Sequence, residues 1–136
     1  IFDNNCLEEL TAHCPRLKHL FIPFSKIRAD ALRHLCKTPL LQSLGIESCC
    51  HLEKDALKHL KAAPLLENLS IRFCKQFEAE ALKHLEATPL LRFLNIAYCE
   101  QLEQDALKHL HRTPLLECLD IKGCRQLEAD ALKHLN

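Results

Sequence analysis

Glycine is nearly absent from this 136-residue chain, where Gly45 and Gly123 are the only two. A phosphate-cradling loop needs several glycines close together, so nucleotide chemistry of that kind is excluded. Neither sign of charge is in excess, with 18 basic and 18 acidic side chains. That balance argues against nucleic acid or an anionic membrane surface as a partner. The charges are interspersed and the longest apolar runs are only a few residues, so no segment suits a bilayer crossing. No secretory leader is visible at the start and no CxxC pair occurs, which removes the signatures of export and of a zinc ribbon.

What is abundant is repetition. The stretch "PLLQSLGIESC" from Pro39 returns as "PLLENLSIRFC" from Pro64, "PLLRFLNIAYC" from Pro89 and "PLLECLDIKGC" from Pro114, a step of 25 residues each time. A looser copy, "PRLKHLFIPFS", begins at Pro15, and between copies run "IRADALRHL", "LEKDALKHL", "FEAEALKHL", "LEQDALKHL" and "LEADALKHL". One unit written about five times over residues 1–136 predicts a single solenoid domain. The array starts at Ile1 partway through a repeat and stops at Asn136 with no strand segment after it. It therefore reads as a segment of a longer protein, since repeat arrays close their cores with polar caps.

Within a unit the apolar period changes. Leu69 and Ile71 are two apart, the strand period, whereas Leu52, Ala56, Leu57 and Leu60 are spaced by four, one and three, the helix period. Pro64 follows that helix and discourages its continuation. One strand and one helix per unit predict an α/β solenoid with right-handed crossovers, its parallel sheet on one side and α-helices on the other. Helix axes need about 8–10 Å and strands about 4.8 Å, so the stack curves with the sheet on the concave face and the helices on the convex one.

The run LxxLxIxxCxxL, standing here as Leu41, Leu44, Ile46, Cys49, Leu52 and again as Leu66, Leu69, Ile71, Cys74, Phe77, resembles the cysteine-containing class of leucine-rich repeat. The likeness covers nearly the whole chain. This class resembles the repeat domains of F-box substrate receptors of ubiquitin ligases and occurs in other intracellular scaffolds. No F-box is present in this sequence, so a ligase adaptor is implied only if that motif lies outside the segment. In the first repeat Ser25 stands at the cysteine place and the following turn is one residue short, so its shape should differ. The leucine after each proline, Leu40, Leu65, Leu90 and Leu115, stands where the class more often has a polar residue. We expect these four to pack beneath the helix-to-strand turn, the alternative being an exposed apolar stripe that binds a partner.

A catalytic set has to be assembled once, and most His and Cys residues here recur with the repeat. The expectation is a protein that is not an enzyme and takes no cofactor or metal. His34, His59, His84, His109 and His134 occupy one helix position, too far apart between helices for a closed zinc site and suited to half-buried packing. Cys49, Cys74, Cys99 and Cys124 share one place, where a small side chain with a weak S–H donor faces a neighbouring carbonyl. Cys118, on an outward strand position, is the best candidate for a reactive thiol. With parallel side chains giving poor disulfide geometry and no export signal, all nine cysteines read as reduced and the protein as intracellular, in cytoplasm or nucleus.

The variable letters point to function. The strand positions around the fixed Leu and Ile read His19, Phe21, Pro23; Ser43, Gly45, Glu47; Asn68, Ser70, Arg72; Phe93, Asn95, Ala97; and Cys118, Asp120, Lys122. No column is constant. The position before the cysteine reads Phe24, Ser48, Phe73, Tyr98 and Gly123, and with Phe21 and Phe93 it holds five of the seven aromatic residues. Aromatic side chains facing solvent are common anchors of protein recognition. The expected partner is a protein on the concave face, not nucleic acid or membrane. The expected contacts are Phe21, Phe24, Glu47, Arg72, Phe73, Phe93, Asn95, Tyr98, Asp120 and Lys122, with Phe93 and Tyr98 flanking the Arg72 guanidinium. The alternative is a consensus-like structural scaffold with no dedicated partner.

Overall fold

The computed structural model describes residues 1–127. The fifth helical copy and His134 lie outside the described residues. Five short strands, β1 (His19–Phe21), β2 (Ser43–Gly45), β3 (Asn68–Ser70), β4 (Phe93–Asn95) and β5 (Cys118–Asp120), form one parallel sheet in chain order. The register stacks Leu20, Leu44, Leu69, Leu94 and Leu119 in a row, so equivalent residues of successive repeats are hydrogen-bonded neighbours. Ile46, Ile71 and Ile96 continue that row's core side and are fully buried. The α/β solenoid of leucine-rich-repeat type expected from the repeat is therefore present.

An α-helix, α1 (Asn4–His13), precedes the sheet, its first turn capped by the Asp3 carboxylate accepting from the Cys6 amide at 3.1 Å. The repeated helices are tighter than the α-helices expected. They are 3₁₀ helices, η1 (Ala29–Lys37), η2 (Ala56–Ala62), η3 (Ala79–Ala87) and η4 (Gln104–Arg112). Runs of this length are uncommon because eclipsed side chains three apart crowd one another. Here the sequence itself has a period of three that turns eclipsing to use. Leu32 and Leu35, Leu57 and Leu60, Leu82 and Leu85, and Leu107 and Leu110 form the core row of their helices. Asp30–Arg33, Asp55–Lys58, Glu80–Lys83 and Asp105–Lys108 form the solvent row as ion pairs of 3.2, 2.8, 3.5 and 3.2 Å. The third row, an alanine followed by a histidine, lies against the neighbouring helix.

Each 3₁₀ helix ends two residues before a proline, with the intervening residue as its C-cap. Thr38, Thr88 and Thr113 are buried and donate their hydroxyls to the carbonyls of Leu35, Leu85 and Leu110 at 3.0, 3.0 and 2.9 Å. The amide of the same residue reaches the same carbonyl, so the last turn is satisfied internally. The first repeat keeps the strand-end turn of the others but lacks the second turn that follows Cys49, Cys74 and Cys99, which is where its missing residue falls.

Candidate protein-binding face

The residue before each cysteine place closes the strand in a left-handed backbone turn, with φ of 58° at Phe24, 55° at Ser48, 63° at Phe73, 58° at Tyr98 and 70° at Gly123. Glycine enters this region freely, whereas an L side chain there costs about 1–2 kcal/mol. Three of the five positions nevertheless hold an aromatic residue. Ladder hydrogen bonds run through the column, from the amides of Phe24, Ser48, Phe73 and Tyr98 to the carbonyls of Glu47, Arg72, Ala97 and Lys122. Side chains at these positions are therefore presented in parallel at the strand spacing.

The Phe73 and Tyr98 rings stack as that spacing requires, with centroids 4.5 Å apart and planes 7° from parallel. The Arg72 guanidinium stands 4.9 Å from the Phe73 centroid and 5.5 Å from that of Tyr98. The guanidinium therefore contacts both rings of the stack and lies slightly nearer Phe73. Arg28, Arg33, Arg92 and Arg112 are committed to carboxylates. Arg72 instead rests on the rings, and its buried Nε has no hydrogen-bond partner among the described residues.

This arrangement corrects one expectation. Arg72 is paired with Phe73 and Tyr98, not with Phe93, because Phe93 is in register with Asn68 while Arg72 lies level with Ala97 four residues further on. Phe93, 43% exposed, is a separate apolar point at the start of its strand. Phe21 and Phe24 are the most open aromatic residues, 60% and 79% exposed. Asn95 and Asp120 also brace the backbone, since each Oδ1 accepts the amide two residues on, Ala97 and Lys122, at 3.0 Å. Glu47 accepts the Ser70 hydroxyl at 2.6 Å. Asp120 and Lys122 are exposed.

Sequence reasoning did not foresee that large side chains on this face cover small ones. The Phe21 ring leans over Gly45, where a Cβ would stand 2.5 Å from Phe21 Cδ1. The Tyr98 ring lies over Gly123 in the same way. Both glycines are therefore seats for an aromatic ring of the preceding repeat. The exposed His19 brings Nδ1 to 2.9 Å from the Ser43 hydroxyl, and Ser43 and Ser70 are buried. The signal was available: each scarce glycine follows an aromatic residue by one repeat length.

The expected burial of Leu40, Leu65, Leu90 and Leu115 is overturned. These four are 39, 40, 38 and 42% exposed, whereas the next residue in three of the turns, Leu41, Leu66 and Leu91, is fully buried. The turn has room inside for one leucine, and the proline ahead of it aims the first one outward.

On the opposite side, His34, His59 and His84 are half-buried and His109 is buried between helices. Desolvation pulls the imidazoles of His59, His84 and His109 below their ordinary value. No cluster of three metal-binding side chains forms among the described residues, and no helix there is long and apolar enough to cross a membrane.

No family model and no curated protein matches the sequence. The fold does match solved structures. Among them is a chain of the crystal structure of the Rad7 and Elc1 complex in yeast, with a TM-score of 0.75 and 19% identity over 98% of the present chain. The solenoid architecture is shared. The present chain spans 36% of the length of that one.

Proposed function

We propose that this chain is a protein-interaction module that holds its partner on the concave strand face. The observation that carries the reading is the cluster of exposed rings there: Phe21, Phe24, Phe73 and Phe93 are all 39% exposed or more, on a face whose framework is otherwise uniform. Exposed aromatic residues beside Arg72, which pairs with no carboxylate among the described residues, are the composition of interface anchors. The structural neighbour is itself part of a two-protein complex, which supports the same class of activity. Catalysis is not part of the proposal, since the module acts by presenting a shaped surface.

Within that reading, the resemblance to F-box receptors favours substrate recognition for a ubiquitin ligase in an intracellular compartment. Adaptor recruitment would then depend on an F-box elsewhere in the parent chain.

The test is affinity capture with the wild-type chain, followed by Phe93→Ala and Arg72→Ala in the captured pair. Hot-spot truncation costs about 2 kcal/mol or more, so binding should fall at least about tenfold. Folding stability should move by only about 0.5 kcal/mol, as neither side chain enters the core. Lys58→Ala and Lys83→Ala on the helices should leave binding intact. If the helix changes abolish binding while the strand-face changes are silent, the partner sits on the convex side.

A further inference from the structure

The left-handed column is an aromatic ladder with a gap. Reading across the sheet it runs Phe24, Ser48, Phe73, Tyr98 and Gly123, and only Phe73 and Tyr98 stand side by side, at 4.5 Å. Phe24 and Phe73 are two strands apart, about 9–10 Å, with Ser48 between them. The three share the same backbone turn and the same ladder hydrogen bonds, so Phe24 and Phe73 leave the sheet two strand spacings apart with only the small Ser48 side chain between them, room for one ring at the Phe73–Tyr98 spacing. Both flanking rings are exposed, Phe24 at 79% and Phe73 at 39%, and Arg72 lies against the Phe73–Tyr98 stack.

We propose that this slot takes one aromatic side chain of a protein partner, with an acidic residue next to it in the partner's sequence reaching the Arg72 guanidinium. A ring seated above Ser48 completes the ladder at the spacing Phe73 and Tyr98 already display, with an aromatic contact on each face. The carboxylate fits the half-buried Arg72 guanidinium, which makes no ion pair among the described residues. Glu47 and Asp120 on the same face balance Arg72 and Lys122, which disfavours a polyanion and points to a single acid beside a ring. The proposal deepens the binding reading above and rests on it. Its test uses peptides, so the two can fail separately.

Acetyl-Trp-Glu-amide is titrated into the isotope-labelled chain while the amide resonances of Phe24, Ser48 and Phe73 are followed. Saturable shifts at these amides are expected. Replacing the peptide's Trp by Leu should weaken binding about tenfold, the equivalent of two ordinary ring contacts. Ser48→Phe plugs the slot with a residue the column already accepts at Phe24 and Phe73 and should remove the response, whereas Ser48→Gly should keep it. Circular dichroism confirms that both variants fold. Arg72→Gln should weaken the Trp-Glu peptide and leave its Trp-Gln counterpart unchanged. Ser48→Phe binding as wild type, a Leu peptide matching the Trp peptide, or no shift up to the solubility limit overturns the slot. Tighter binding of adenosine monophosphate than of the Trp peptide overturns the assignment to a protein side chain. If Phe93→Ala abolishes capture of the natural partner while the peptides are silent, the slot alone is lost and the binding face stands.

Discussion

The thiols of Cys49, Cys74, Cys99 and Cys124, at one fixed place in the repeat, are each held by the preceding repeat. Cys74, Cys99 and Cys124 donate to the carbonyls of Ile46, Ile71 and Ile96 in the preceding repeat at 3.2, 3.1 and 2.9 Å, and Cys49 donates to Ile22 at 3.3 Å. Cys74 and Cys99 receive no solvent, and burial pushes both thiols up to about 12. At neutral pH they carry almost no thiolate, the nucleophilic form. Thiol reagents should therefore label Cys74 and Cys99 only on unfolding, while Cys36, Cys50 and Cys118, which are exposed, react in the native state. Cys74→Ala should cost about 1 kcal/mol from one weak hydrogen bond and a small packing loss. Denaturant unfolding measures the cost, and rapid native labelling of Cys74 would contradict the placement. In the first repeat Ser25 takes the same buried seat, its hydroxyl 3.1 Å from Cys49 Sγ, so size and hydrogen-bonding capacity matter there more than sulfur.

The 3₁₀ helices pack through their alanine–histidine rows, and the desolvation of those imidazoles should make the helical layer acid-sensitive. His59 is depressed mainly by desolvation, with Lys58 and Lys61 acting in the same direction and Asp55 and Asp30 opposing. His84 is depressed likewise, with Lys83 and Lys58 in the same direction and Glu86 and Asp55 opposing. Around His109, again mainly desolvated, Glu80 opposes while Lys108 and Arg112 add to the depression. Its two buried ring nitrogens have no hydrogen-bond partner among the described residues. An imidazole held below its ordinary value of 6.5 refuses a proton that the unfolded chain accepts. Stability is then fully present above that value and falls as pH drops below it. Thermal melts from neutral to mildly acidic pH should show the decline, and His109→Leu should flatten part of it. An unchanged slope in that variant would show that His109 is not a contributor. Zinc should leave the melting temperature unmoved, since no cluster of three metal-binding side chains forms among the described residues.

Across the whole molecule the same turn is stacked repeat upon repeat, so small decisions at one position become rows. Leu90 and Leu91 are adjacent leucines of opposite fate, 38% exposed and fully buried. Leu91→Ala should cost about 2–5 kcal/mol, the range for a buried leucine that leaves a cavity. Leu90→Ala should cost about 0.5 kcal/mol, as a surface change. Equal losses in urea unfolding would mean that the rim leucines are packed after all. Ion pairs add a second row along the same edge, where Arg92 lies 3.3 Å from Glu67 and 2.6 Å from Glu117. Such exposed pairs contribute little individually. The stack is held by the leucine and isoleucine rows and by the continuous parallel ladder.

The repeat length, the alternation of strand and helix and the identity of the core residues were legible in the sequence because each is a periodic property of the chain. A buried leucine or cysteine recurs every 25 residues and cannot be mistaken for chance. Even the 3₁₀ winding left a trace, in acid–base and Leu–Leu pairs three apart, although the apolar spacing alone suited an α-helix. What the sequence could not settle were relations between repeats at variable positions. The pairing of Arg72 with Phe73 and Tyr98 rather than Phe93 depends on sheet register and on a left-handed turn after the strand. The exposure of Leu90 beside buried Leu91 depends on which way a proline-led turn opens. The seating of Phe21 over Gly45 and of Tyr98 over Gly123, and the gap at Ser48, arise only when consecutive repeats are stacked at strand spacing. Local periodicity decides which side chains enter the core, whereas the variable strand face is made by contacts between residues one repeat apart, and those exist only in the assembled solenoid.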